Sequence, residues 1–228
     1  MDFNQIRYPE HKALELSDFK SMDYYAVNNF SIPVELMMEN AGLHLANLIT
    51  GSVKKGQTIR IGIGNGNNGG GGLVAATRLL AWGYTVHLDL ITEISKELPR
   101  KQLKRALAFG AKTIIPPRCQ VWVDAYLGFS QRLPLPEILL ERCEEANGSD
   151  VLRISLDVPT GFSGDVKEPY FQCDKILTLA APKKVLYALP ENVEIFIADL
   201  GIPIVVYEKF NVEPLPFYKS NVLKLTRK

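Results

Sequence analysis

Four short segments of this chain carry the residue types from which a binding or catalytic site could be built. The first is Gly64-Asn65-Gly66-Asn67-Asn68-Gly69-Gly70-Gly71-Gly72, six glycines among nine residues. Glycine lets backbone N–H groups approach an anion closely, and a helix N-terminus adds favourable partial charge, so this segment reads as a phosphate cradle. A merely flexible turn is the alternative. The spacing is not GxGxxG, and with no Lys-Ser or Lys-Thr following it is not a P-loop either. The second and third segments each present a carboxylate, Asp124 and the Asp157 of Asp157-Val158-Pro159-Thr160-Gly161. A lone Asp of this kind often caps a turn. Two of them beside an Asn-rich loop offer carboxylate, amide and hydroxyl oxygens, which suit a hard cation better than zinc. The fourth segment, Ala180-Ala181-Pro182-Lys183, brings an ammonium that alone would read as a solvated surface lysine. The three histidines are scattered, so a Ser-His-Asp hydrolase has no support.

Each segment follows a run that reads as a strand. Thr58–Ile63 is short and rich in β-branched residues; Val121–Val123 ends at Asp124, Val151–Leu156 at Asp157, and Lys175–Leu179 near Ala180. Tyr84–Leu90 and a last short strand at Glu194–Ile197 read likewise, and Lys112–Ile115 reads as extended. Helical patterns fill the intervals: Leu73 to Trp82 closed by Gly83, Leu98 to Phe109, and Pro136 to Ala146. The opening of the chain reads as helices. Ser31 is a good N-cap for a helix with Pro33 in its first turn, with Val34, Met37, Met38, Ala41, Leu45 and Leu48 at helical spacing and Gly51 past its end. The Met pair reads as core filler, and His44, off the stripe, as a surface residue. Alternating strands and helices imply parallel βαβ units with right-handed crossovers. The expected fold is therefore α/β: a three-layer αβα Rossmann-like domain spanning 1–228, with a mostly parallel central sheet and N-terminal helices. Ligands of such sheets bind beyond the carboxyl ends of the strands, where the four segments stand.

Composition narrows the function. The 228 residues are 46% hydrophobic and 22% charged, ordinary values for a globular protein. With 26 Lys and Arg against 25 Asp and Glu, the net charge of +1 argues against a dedicated nucleic-acid or anionic-membrane protein. No apolar run is long enough to span a bilayer, and the start has no signal-peptide pattern, so a cytoplasmic protein is expected. Cys119, Cys143 and Cys173 form no CxxC pair and read as buried or idle thiols.

In combination, Asn67-Asn68-Gly69-Gly70, Asp124-Ala125, Asp157-Val158-Pro159-Thr160-Gly161, Leu179-Ala180-Ala181-Pro182-Lys183 and Asp199-Leu200-Gly201-Ile202-Pro203 resemble the YjeF N-terminal domain family. Met37-Met38-Glu39-Asn40-Ala41-Gly42 looks like its leading helix. The resemblance spans roughly residues 10 to 205. It implies an NAD(P)H-hydrate epimerase, an isomerase that interconverts the R and S forms of hydrated NADH or NADPH in metabolite repair. It further implies a potassium ion held by Asn68, Asp124 and Thr160, with Thr160 where the family often has serine. The dinucleotide would be contacted by Asn67, Asn68, Gly69, Gly70 and Gly71, by Gly128, Phe129, Ser130, Gln131, Arg132, Leu133 and Pro134, and by Asp157. The substrate is a small molecule, and a homodimer is compatible with this reading.

Epimerisation needs an acid to protonate the departing hydroxyl and a base to deprotonate the returning water. Asp157 and Lys183 are the candidates, their individual roles unassigned. Two departures stand out: the family usually reads Asn-Asn-Gly-Gly-Asp-Gly where this chain has Gly71, and the stretch after Asp124 lacks a common second glycine. They define the alternative, a catalytically impaired nucleotide-binding or protein-interaction module. A hydride-transferring dehydrogenase would need a ribose-binding acid, for which only Asp89 offers.

Overall fold

Runs of Val, Ile and Leu flanked by turn residues form the strands, and the central ones are apolar on both faces because helices cover both. The chain runs β1 (Asn4–Arg7), α1 (Leu16–Phe30), α2 (Val34–Thr50), β2 (Thr58–Ile63), α3 (Asn67–Ala81), β3 (Thr85–Leu90) and α4 (Glu97–Ala108). It continues through β4 (Val121–Ala125), α5 (Glu137–Asn147), β5 (Leu152–Leu156), β6 (Lys175–Leu179), β7 (Glu194–Ala198), α6 (Ile204–Lys209) and β8 (Val222–Thr226). β4 is buried at all five positions, as a strand sandwiched between helix layers must be. The computed structural model describes residues 3–227.

The sheet order is β1-β8-β7-β6-β5-β4-β2-β3. Pairing is parallel from β3 through to β7. β8 pairs antiparallel with β7, and β1 parallel with β8. Phe19 and Met22 of α1, Leu139 of α5 and Val206 of α6 share one apolar cluster with Ile176 and Ile195. Leu45 and Leu48 of α2, Leu73 of α3 and Ala106 of α4 share the second with Ile59 and Ile61. These clusters are the two interfaces of a three-layer αβα fold. From β2 the chain moves outward to β3 and then returns to β4 on the other side, so the order switches between β2 and β4. A ligand crevice belongs there.

The structure departs from the sequence reading at several points. Helix α3 begins at Asn67, six residues before Leu73, so the glycine run lies inside the helix. A Cβ on Gly69 would lie 2.0 Å from Gly64 O, and one on Gly72 would lie 2.6 Å from Ala125 Cβ, so glycine is required by close packing. Ser31 does not cap α2; it closes α1 in a left-handed conformation (φ 51°), and Pro33 takes the N-cap position. His44 is buried, because α2 is enclosed on several sides and keeps no solvent face there. Lys112 makes an isolated bridge to His87, but no strand forms over 112–115. The sheet also continues past Glu194–Ile197 with β8, whose Val222-Leu223-Lys224-Leu225-Thr226 pattern was a legible strand signal, and with the short edge strand β1. Met37 and Met38 are buried, as are Cys143 and Cys173, while Cys119 is half-buried.

Candidate functional site

Four strand ends converge at the switch point, and each delivers a polar group. Asp157, the residue after β5, has a left-handed backbone (φ 74°), as does Ala180 after β6 (φ 61°). Such conformations cost about 1–3 kcal/mol each and gather at functional sites. The turn at Asp157 aims its carboxylate across the crevice. Oδ2 accepts a hydrogen bond from Phe129 N at 2.7 Å, and Oδ1 meets Lys183 Nζ at 2.9 Å. Lys183 is no surface lysine. It is fully buried, donating to Thr178 Oγ1 and Leu179 O at 2.9 Å, with its ammonium 3.6 Å from the centre of the Phe19 ring. Burial lowers its pKa, and the Asp157 charge opposes that shift. The result is a carboxyl group and an amine in contact and shielded from solvent, one able to accept and the other to donate a proton.

Beside the pair lies a cluster of oxygens. Asp124 is fully buried. Its Oδ1 accepts from Thr160 Oγ1 at 2.7 Å and its Oδ2 from Ser155 Oγ and Thr160 N at 2.9 Å, with Tyr126 N at 3.3 Å from Oδ1. Burial pushes its carboxyl up to about 6, and these donors pull the other way. No Lys, Arg or His forms an ion pair with it among the described residues. Asn68 donates its Nδ2 to the carbonyls of Leu127 and Leu156, which leaves its buried Oδ1 without a hydrogen-bond partner. Leu127 joins the two groups, since its N–H donates to Thr160 Oγ1 at 3.1 Å. Thr160 is bonded directly to Asp124, and Asn68 is linked to them through Leu127. The unpartnered amide oxygen of Asn68 and the oxygens of Asp124 and Thr160 are of the donor type that a monovalent cation takes.

The rest of the expected contact surface divides. A Cβ on Gly128 would fall 2.8 Å from Asp157 Oδ2 and 3.2 Å from Asn68 Oδ1, so only glycine lets the chain pass this close to both. Ser130, Arg132, Leu133 and Pro134 are exposed at the rim. Gln131 is occupied in bracing the next turn, through Pro159 O, Phe162 O and Gly161 N. In α3, Asn67 and Asn68 stand at the open end of the helix. Gly69 faces Gly64 O, Gly70 faces Met38, and Gly71 faces Leu156 Cδ2 at 3.1 Å and Ala41 Cβ at 3.8 Å from a built Cβ. Asp89, the candidate ribose reader, is 2% exposed and committed to Arg60, Arg142 and Tyr126. That removes the feature on which a dehydrogenase reading rested.

Sequence reasoning passed over Asp23. It stands on α1 in the charge field of Asp157 and Lys183. The legible signal was a carboxylate one turn from Phe19 and adjacent to Met22, inside the buried stripe of α1.

Residues 34–185 match the family described as YjeF-related protein N-terminus. The chain is 34% identical over 211 residues to the NAD(P)H-hydrate epimerase of Rhodopirellula baltica, covering 85% of this chain and 86% of that protein. It is 30% identical over 225 residues to the NAD(P)H-hydrate epimerase of Anopheles darlingi, covering 93% and 97%. The crystal structure of yeast ynu0 superposes with a TM-score of 0.82 at 24% identity, over 93% of this chain and 99% of that one. The yeast likeness is one of fold.

Proposed function

Given that the chain belongs to the YjeF-related protein N-terminus family, we propose that it is an NAD(P)H-hydrate epimerase, interconverting the R and S forms of hydrated NADH or NADPH in nicotinamide nucleotide repair. The observation that carries this reading is the buried Asp157–Lys183 contact at 2.9 Å, set at the switch point beside the open end of α3. In the hydrate, the hydroxyl-bearing carbon adjoins the ring nitrogen. The nitrogen lone pair expels the hydroxyl as water once it is protonated, leaving an iminium. Water then adds to either face and returns one proton, so the step balances. It needs one donor and one acceptor of a proton within reach of the same carbon. Asp157 and Lys183 supply both in contact, shielded from solvent. Nearby carboxylate charge also favours the cationic intermediate.

Potassium belongs to the same reading, held by Asn68, Asp124 and Thr160. When bound, it supplies a fixed positive charge that offsets Asp124 and favours the anionic dinucleotide. The free N–H groups at the start of α3 and the exposed Arg132 at the rim suit the diphosphate.

The impaired-module reading turns on Gly71. Position 71 is buried, and a Cβ there would meet only the apolar side chains of Leu156 and Ala41, which supports an active enzyme: the first atoms of a side chain at 71 pack against helix and sheet. The same geometry bears on Gly71→Asp, which would restore the family's usual residue but is not expected to raise activity. The carboxylate would begin in an apolar interface, and lower stability is expected instead. The deciding experiment is incubation of separated R and S hydrates with the pure protein, followed by chromatography. Interconversion well above the spontaneous rate supports the epimerase; binding of the dinucleotide without interconversion supports the module.

A further inference from the structure

Helix α1 reaches the proton-transfer pair from the other end of the chain. Its Phe19 ring lies under the Lys183 ammonium and meets the Phe129 ring at 5.0 Å between centroids. Phe129 in turn donates its N–H to Asp157. Four residues after Phe19, hence on the same helix face, stands Asp23. It is half-buried, lies within electrostatic reach of both Asp157 and Lys183, and forms no hydrogen bond or ion pair among the described residues. Burial works against the charge of this ammonium, so any further anion within electrostatic reach favours its charged form.

We propose that Asp23 is a positioning residue of the site: carried on α1, its carboxylate is the second anion of the Lys183 ammonium and holds it charged and in place. The inference rests on the reading of Asp157 and Lys183 as the proton-transfer pair. The charged groups whose fields reach Lys183 are Asp157, after β5, and Asp23, one helical turn beyond the Phe19 that lies against the ammonium; Thr178 Oγ1 and Leu179 O, on β6, complete its neutral partners. The electrostatics agree. Burial lowers the Lys183 pKa, and Asp157 first and Asp23 second raise it. Burial and the Asp157 charge in turn push the Asp23 carboxyl up to about 6, with Lys183 opposing. Above that pH Asp23 is an anion and supports the ammonium. Its removal leaves Asp157 alone, and Lys183 gives up its proton at lower pH.

The test uses the full chain labelled with isotopic lysine. The Lys183 resonance is identified by its absence in K183R, and its pH titration is compared in wild type, D23N and D23E. The midpoint of Lys183 is expected to fall by about one pH unit or more in D23N and to stay near wild type in D23E, which keeps the charge. The limb of the kcat/KM profile that reports Lys183 should move by the same amount, whichever direction the proton takes in the reaction. A purely structural role would change amplitudes and leave midpoints in place. Equal midpoints in wild type and D23N overturn the proposal. D23S, which removes the charge with a smaller side chain, gives the same comparison if D23N does not fold. If the wild type fails to interconvert the hydrates, the epimerase reading falls, while the Lys183 titration still decides the role of Asp23.

Discussion

Two buried charge clusters flank β4, and they are built on opposite plans. Under the β2–β3 side, Asp89 Oδ2 accepts from Arg60 Nη2 and from the Tyr126 hydroxyl at 2.6 Å, and Arg142 Nε lies 3.0 Å away. Arg60 also meets Glu145 at 2.6 Å and lies 3.3 Å over the Trp122 ring. At the crevice, by contrast, Asp124 is held by neutral donors alone, and among the described residues Asn68 Oδ1 is buried without a hydrogen-bond partner and Asp23 makes no hydrogen bond or ion pair. The first cluster is saturated and can only hold the sheet together. The second keeps an unpartnered amide oxygen and an unbonded carboxylate, the kind of polar capacity that the proposed site would use.

The sharpest way to break this comparison is Asp157→Asn. Asparagine tolerates the left-handed backbone and still accepts from Phe129 N, but it takes the contacting anion from the buried Lys183, so about 3 kcal/mol of stability should be lost and turnover is compared per folded molecule. Turnover should fall by up to about 10^4-fold, the upper range for a group moving protons. Separated hydrate epimers provide the assay, and wild-type rates would remove Asp157 from the chemistry.

Arg60→Met attacks the saturated cluster instead. It leaves Asp89 buried with a reduced set of partners, and the expected loss of stability is about 3 kcal/mol, near the low end for a broken buried pair because Arg142 remains. Urea titration measures it. Rates per folded molecule should stay close to wild type, and a large selective loss of turnover would mean that the two clusters are one functional unit.

Potassium sharpens the contrast from the ligand side. Exchanging potassium for choline at constant ionic strength should lower the thermal midpoint, with about 1–2 kcal/mol lost from a cation present at tens of times its Kd. Asp124→Asn should abolish that dependence, and a midpoint indifferent to potassium would count against the cation site. The smallest effect is expected for Tyr126→Phe. It deletes one donor to Asp89 while both arginines stay, at a cost of about 1 kcal/mol. A loss several times larger would show that Asp89 is less well satisfied than its contacts suggest.

Local pattern identified much of this. β-branched runs fixed the central strands, because a parallel strand covered on both faces must be apolar throughout. The residues placed just after those runs, Asp124, Asp157 and Lys183, then had to lie at one edge, since parallel strands all point the same way. The glycines of α3 resisted such reading. Their spacing suits an anion loop and a tight helix–sheet contact equally, and only the approach of Ala125 and Gly64 distinguishes the two.

Other features belonged to the tertiary structure alone. Whether Lys183 was solvated or buried depended on Phe19, and Asp23 joined the site only because α1 folds across it from the far end of the chain. Asp89 was withdrawn from any ligand by Arg60 on the neighbouring strand. His44 was enclosed because α2 is packed on more sides than its apolar stripe implied. Sequence spacing records which side chains share an element, and so it determined the strands, the edge and most of the polar groups gathered there. The charge state and accessibility of those groups depend on what arrives from elsewhere in the chain, because desolvation and Coulomb interaction act through space over a few ångströms and take no account of sequence separation.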